Sequence, residues 1–382
     1  MRRGRRRVAV VAAAGAVAAS ALVAAGPALA GPGDGVATYI VRLKAQPVAA
    51  YDGGVAGIPA TAPALTGTRE SLHSQAAERY SRYLDAQQDR ALSGLRGTAL
   101  PRVIYSYRTA LAGFAVRVTA DQAAQLAKAP GVAAVSRDRL LRVQRRRGHD
   151  WNAWWRDPGR LIRGDGAEYL NLTSGLWTRL GGPTRAGDGV VVGVLDTGIT
   201  PDHPSFSDSP LAGGVLTFLG PSYGPPPAAW NGACDVGADT SFHCNNKLIG
   251  ARYFLDGFGA ANLNANAVQS PRDDDGHGSH TASTAAGNFG VDPSIAGNDL
   301  GQNLISGIAP RARVAMYKVC WPGPTTDDDG CASSDSAAAI DAAVSDGVDV
   351  INMSLGSDAD AVFDGNEGLS LLVADLAGVP LG

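Results

Sequence analysis

Long apolar runs are scarce in this sequence. After residue 30 no stretch is apolar enough to suggest a membrane span. Cysteine is scarce as well: there are four, none in the C-x-x-C spacing of a zinc knuckle, so a structural zinc site is not indicated. Strong charge of one sign is missing. The formal net of −3 over 382 residues predicts no nucleic-acid or membrane partner. Gly (49) and Pro (22) follow no triplet period, which excludes a collagen-like chain. With 45% hydrophobic and only 18% charged residues, a disordered chain is excluded too. What remains is a globular protein, too long for one ordinary domain and long enough for two.

The small net charge conceals an asymmetry. Residues 1–30 carry a net of +5, residues 31–150 a net of +8, and residues 151–382 a net of −16. The first segment has Arg2, Arg3, Arg5, Arg6 and Arg7, then a mostly Ala and Val run from Val8 to Val23, then Ala28-Leu29-Ala30. That is the pattern of a secretory signal peptide, cleaved near residue 30, and the Arg pairs leave the twin-arginine route open. The mature protein is therefore expected to be secreted, with no membrane contact after cleavage. In an oxidising compartment the close pairs Cys234/Cys244 and Cys320/Cys331 read as two local disulfides. Two other pairings stay open from sequence alone.

Residues 31–143 form a first unit. The segment 37–44 alternates like a half-buried strand, and Leu72, Ala76, Tyr80, Leu84, Ala91 and Leu95 recur at helical spacing. Strand-like runs follow at 102–107 and 114–118. Thr119 with Gln122 makes a capping box for a short helix that Gly131 can end, and a last strand spans 132–136. The order β-α-β-β-α-β predicts a ferredoxin-like α+β unit. His73, its one histidine, suits a helix surface. Residues 144–168, with Arg145-Arg146-Arg147 and Trp151, Trp154 and Trp155, lack any period and read as an exposed linker.

The remainder, 169–382, reads as α/β. The runs 190–196, 312–319 and 349–355 are buried-type strands, and a small-residue helix at 334–345, closed by Gly347, joins the last two. Strand, helix, strand at this spacing predicts a parallel sheet, with the site at the carboxyl ends of its strands. Asp196 stands at such an end. Residues 369–382 read as one amphipathic helix.

Three peptides carry the chemistry: 190–206, 272–287 and 350–357. Taken singly, each is ambiguous. Asp196-Thr197-Gly198 could serve an aspartic protease, but that needs two such loops and the sequence has one. His277 and His280 could bind metal, yet no third ligand is indicated. Gly187, Gly189 and Gly193 precede their strand, where a dinucleotide fingerprint would follow it.

Taken together and in this order, DTG (196–198), HGSH (277–280) and SLG (354–356) resemble the subtilisin-like serine proteases, closest to the plant-type and actinobacterial branch. Residues 36–143 resemble the inhibitory propeptide of the same family. The resemblance implies a ferredoxin-like propeptide followed by the N-terminal part of a parallel-sheet catalytic domain. It implies peptide hydrolysis through an acyl-enzyme, with His277 as general base and then acid and Asp196 holding its imidazole. Ser354, Leu355 and Gly356 would bind an extended substrate by strand addition. The partners implied are a peptide or protein substrate and the chain's own propeptide. No cofactor is implied, and Ser205 stands where many bacterial members have a calcium-binding carboxylate, so no metal is expected there. Asp273, Asp274 and Asp275 flank His277 and could raise its pKa or favour basic substrate residues, but they read first as a solvated acidic loop. The family's oxyanion-hole Asn and its Gly-Thr-Ser-Met-Ala-type nucleophile peptide do not occur after Ser357. The expectation is thus two-thirds of a triad, and the alternative reading is an inactive fragment or a propeptide-type inhibitor.

Overall fold

The computed structural model describes residues 35–95, 101–143, 170–212, 214–295, 298–299, 304–356, 370, 373–375 and 377–380. The signal-like segment and the Arg- and Trp-rich linker lie outside the described residues.

The N-terminal unit is built on β1 (Val36–Leu43), α1 (Gln75–Ser93), β2 (Arg102–Tyr107), β3 (Gly113–Thr119), α2 (Ala120–Leu126) and β4 (Val132–Arg137). Its strands form one antiparallel sheet in the order β2-β3-β1-β4, the ferredoxin-like arrangement. Tyr80 and Leu84 of α1, Leu126 of α2, and Val41, Phe114 and Val116 of the sheet make one apolar core. Thr119 opens α2 with both halves of the capping box, a contribution of about 1 kcal/mol. The helix ends earlier than the sequence suggests, at Leu126. Gly131 (φ 85°) instead shapes the turn into β4, because residues 127–129 close one further turn by backbone hydrogen bonds to Ala123, Gln125 and Leu126.

A short strand, β5 (Leu140–Val143), continues from this unit. The second unit holds β6 (Val191–Asp196), β7 (Leu248–Tyr253), α3 (His277–Ala286), β8 (Arg313–Lys318), β9 (Cys320–Trp321), β10 (Gly330–Ala332), α4 (Ser333–Asp346), β11 (Val350–Met353) and β12 (Leu355–Gly356). β11, β6, β8 and β7 lie side by side, all parallel. Every residue of β6 is buried, as a strand covered on both faces requires. α3 and α4 cover the sheet. The buried residues of α3 are Gly278, Ala282 and Ala286, four apart, so its smallest side chains face the sheet. Gly347, at φ 98°, ends α4 as the sequence implies.

Two expectations need correction. Residues 349–355 are not one strand. Pairing with β6 stops at Met353, and past Ser354 the chain turns to pair with β5 instead. Residues 369–382 are not one helix either. Positions 373–375 are helical, but Ala377 and Gly378 form a turn with Gly378 at φ 82°. Both disulfides expected from the close cysteine pairs are present, Cys234–Cys244 and Cys320–Cys331. No helix among the described residues is long and apolar enough to cross a membrane.

A third sheet joins the two units. Its order is β9-β10-β5-β12, antiparallel throughout, so β5 of the N-terminal unit fills the gap between two strands of the second.

Candidate active site and substrate cleft

Asp196 ends β6 and is fully buried. One carboxylate oxygen accepts the Thr197 N–H at 2.7 Å and lies 2.7 Å from His277 Nδ1; the other accepts the Thr281 hydroxyl at 3.1 Å. His277 is the first residue of α3, and its side chain is mostly covered. Three features fix the angle at which it enters. Gly276 takes φ 94°, the Gly278 N–H donates to Thr197 Oγ1 at 2.8 Å, and a Cβ on Gly278 would stand 2.2 Å from the Gly198 carbonyl oxygen. Only glycine lets the helix start this close to the strand end. A buried carboxylate beside one imidazole nitrogen can hold the tautomer that leaves the other nitrogen basic.

The acidic loop before His277 is not simply solvated. Asp273 accepts from the Thr197 hydroxyl at 2.9 Å, from the N–H groups of Asp275, Gly276 and Ser279, and from the Ser279 hydroxyl at 2.6 Å. Burial alone would raise its pKa, but these donors outweigh that and hold it below the usual carboxylate value. Asp274 pairs at 2.8 Å with Lys318, a fully buried ammonium that also donates to the Arg272 carbonyl and sits 4.5 Å from the centre of the Trp321 ring. Burial lowers the Lys318 pKa, and Asp274 opposes that shift. Sequence reasoning missed Lys318. Its signal was a lysine closing a strand whose four preceding residues are apolar or aromatic.

Ser354-Leu355-Gly356 lies along β5: Leu355 is opposite Val143 and Gly356 opposite Arg142. On the other edge, Cys331 is opposite Leu141 and Ala332 opposite Leu140. A cavity of about 280 Å³ runs beside this strand, between Val143, Asp274, Trp321 and the Cys320–Cys331 bridge. The arrangement therefore pairs β5 along both of its edges.

Three carboxylates, Asp138 and Asp335 buried and Asp341 half-buried, lock the two units together, and none was read from sequence. Asp138 accepts from the Ser333 hydroxyl at 2.8 Å and the Ser334 N–H at 2.9 Å, capping α4 from the N-terminal unit. Asp335 accepts the Tyr105 hydroxyl at 2.7 Å and the N–H groups of Gly257 and Phe258. Asp341 accepts four consecutive backbone N–H groups, from Arg108 to Leu111. His73 is exposed, as its helix-surface reading requires.

The comparisons with known proteins agree with this layout. The subtilase family (Peptidase_S8) matches residues 187–377, and Peptidase inhibitor I9 matches residues 38–144. Subtilisin-like protease SBT5.3 of Arabidopsis thaliana is 39% identical over 278 residues, covering 72% of this chain and 32% of the relative. Subtilisin-like protease SBT2.6 of the same plant is 36% identical over 321 residues, covering 83% and 35%. The crystal structure of fervidolysin from Fervidobacterium pennivorans, a keratinolytic enzyme related to subtilisin, matches more loosely. It is 13% identical at a TM-score of 0.43, over 91% of this chain and 39% of that one. The chain thus spans about a third of the length of the curated relatives it matches. It belongs to the subtilase family and carries an I9-type inhibitor unit ahead of its subtilase segment.

Proposed function

We propose that this chain is the precursor part of a secreted serine endopeptidase, in which Asp196 and His277 form the acid–base half of a Ser-His-Asp triad. In this reading His277 takes the proton of a serine hydroxyl and returns it to the leaving amine. Asp196 stabilises the imidazolium that forms between those steps. Ser354, Leu355 and Gly356 bind the substrate backbone. The N-terminal unit, residues 31–143, is the inhibitory prosegment, and 144–168 is the linker that is cut. One observation carries the proposal: β5 occupies the cleft as an antiparallel strand between β10 and β12, the pose of a bound peptide. The signal-like residues 1–30 and the two disulfides favour an exported protein.

The test supplies the serine. Residues 1–356 are joined to the remaining length of SBT5.3, and the chimera is assayed for self-processing, peptide hydrolysis and fluorophosphonate labelling. All three are expected. His277→Ala or Asp196→Ala should each reduce turnover about 10⁴-fold or more. Native turnover in either variant would remove the assignment. The sequence as it stands has no Gly-Thr-Ser-Met-Ala-type peptide, so it is expected to take up no fluorophosphonate.

A further inference from the structure

We propose that the cleft selects a substrate carrying an arginine or lysine side chain at the residue that lies opposite Gly356. This rests on the reading of the cleft as a peptide-binding groove and adds a preference to it. Arg142 occupies that position now, as the third residue of β5. Its guanidinium donates to the Asp327 carbonyl at 2.7 Å and to the Asp329 carbonyl at 3.3 Å.

The acceptors are set before any strand arrives. The Asp328 carboxylate takes the N–H and hydroxyl of Thr325, and the Asp329 carboxylate takes the Gly323 N–H. The loop is thereby folded on its own side chains, with the carbonyls of Asp327 and Asp329 turned toward β5. Two carbonyls at this spacing match the fork of a guanidinium; an ammonium can satisfy one of them. The surrounding charge has the same sense. Asp274, Asp275 and Asp329 line the cavity beside the strand, and residues 151–382 carry a net of −16. A cation is attracted there. A carboxylate would meet acceptors only, within a negative field, and is rejected on both counts.

Successive side chains of an extended strand point to opposite sides. The preference therefore concerns one residue of the substrate and not its neighbours: Leu141 is buried beside Cys331, whereas Arg142 is exposed over the loop.

The experiment uses the full chain and its Arg142→Lys and Arg142→Glu variants. Hydrogen exchange of residues 140–143 reports whether β5 stays seated. The probe is a fluorescein-labelled peptide copying residues 137–143, made also with Glu at the position of Arg142. Arg142→Lys is expected to keep the native protection. Arg142→Glu is expected to raise exchange about tenfold, the scale of a lost charge-assisted hydrogen bond, and so free the groove for the probe. The arginine probe should then bind that variant about tenfold more tightly than the glutamate probe, with the gap narrowing as salt is added. Equal binding of the two probes would overturn the preference and leave the groove standing. Unchanged protection in Arg142→Glu would overturn it as well. Opening of β5 with neither probe bound would show that the cleft is no peptide groove, and the preference would fall with that reading.

Discussion

His277 Nδ1 and Asp196 Oδ1 lie 2.7 Å apart although 81 residues separate them in the chain, and the glycine beside His277 makes the approach possible. The β6 end supplies a rigid, fully buried carboxylate. α3 supplies the imidazole from its first position, where a side chain can still reach past the helix. Bringing them together requires the helix backbone to touch the Gly198 backbone, which no larger residue at 278 allows.

Gly278→Ala should therefore act on the pair without touching either member. Its Cβ would stand 2.2 Å from a carbonyl oxygen held in the loop after β6, so the helix start must shift. The expected cost is about 1–3 kcal/mol, the range of overpacked sites. Urea unfolding would measure it. Native stability in this variant would show that α3 does not sit against Gly198.

Asp196→Ala leaves the Thr197 N–H, the Thr281 hydroxyl and His277 Nδ1 without their shared acceptor in a buried site. A loss of about 3–5 kcal/mol is expected. Asp196→Asn keeps one acceptor oxygen and should lose less. The order of the two unfolding midpoints is the readout, and equal losses would argue that the carboxylate is not the hub described.

Asp138→Ala should loosen the two units selectively. It removes the cap that the N-terminal unit places on α4, leaving the Ser334 N–H and the Ser333 hydroxyl unpaired. Protease cutting between the units should become faster while the core around β6 keeps its resistance. Uniform loss of resistance would mean that Asp138 supports the whole fold and not the junction.

The β-α-β-β-α-β order, the capping box at Thr119 and the two key positions Asp196 and His277 were legible because each is local: a period, a spacing or a short peptide. The cleft sheet was not. β5 has four residues and β10 three, too short for a periodic signal, and their pairing joins residues nearly two hundred positions apart. The locking carboxylates were hidden for the same reason. Asp335 and Asp341 look like ordinary helix residues until Tyr105 and the 108–111 backbone arrive from the other unit. Asp273 was misread as solvated because its donors, Thr197 and Ser279, lie on different elements.

Docking of the two units should depend on pH through Asp335. Burial pushes its pKa up to about 7, partly offset by the Phe258 N–H and the Tyr105 hydroxyl, while Asp138 adds to the rise. Burial raises Asp138 and Asp341 as well. A carboxylate whose pKa is higher when docked takes up a proton on docking. Its contribution is full below the ordinary carboxylate value and is lost as pH rises through about 7. Hydrogen exchange of residues 105–111, corrected for the intrinsic rate, should be slower near about pH 5 than near about pH 8. Asp335→Asn should flatten that difference. Tighter docking at the higher pH would contradict the account.

The central claim is that β5 lies in the cleft as a substrate strand does, in one register. Paired cysteines test it most directly. Val143 and Leu355 face each other, so their Cβ atoms should lie within about 4.5–5.5 Å, close enough for oxidation to join them. Val143→Cys with Leu355→Cys in the full chain is predicted to cross-link rapidly and in high yield. Val143→Cys with Ser354→Cys, one position out of register, should cross-link poorly. Equal yields from the two pairs, or none from the first, would show that β5 is not held in the cleft as described.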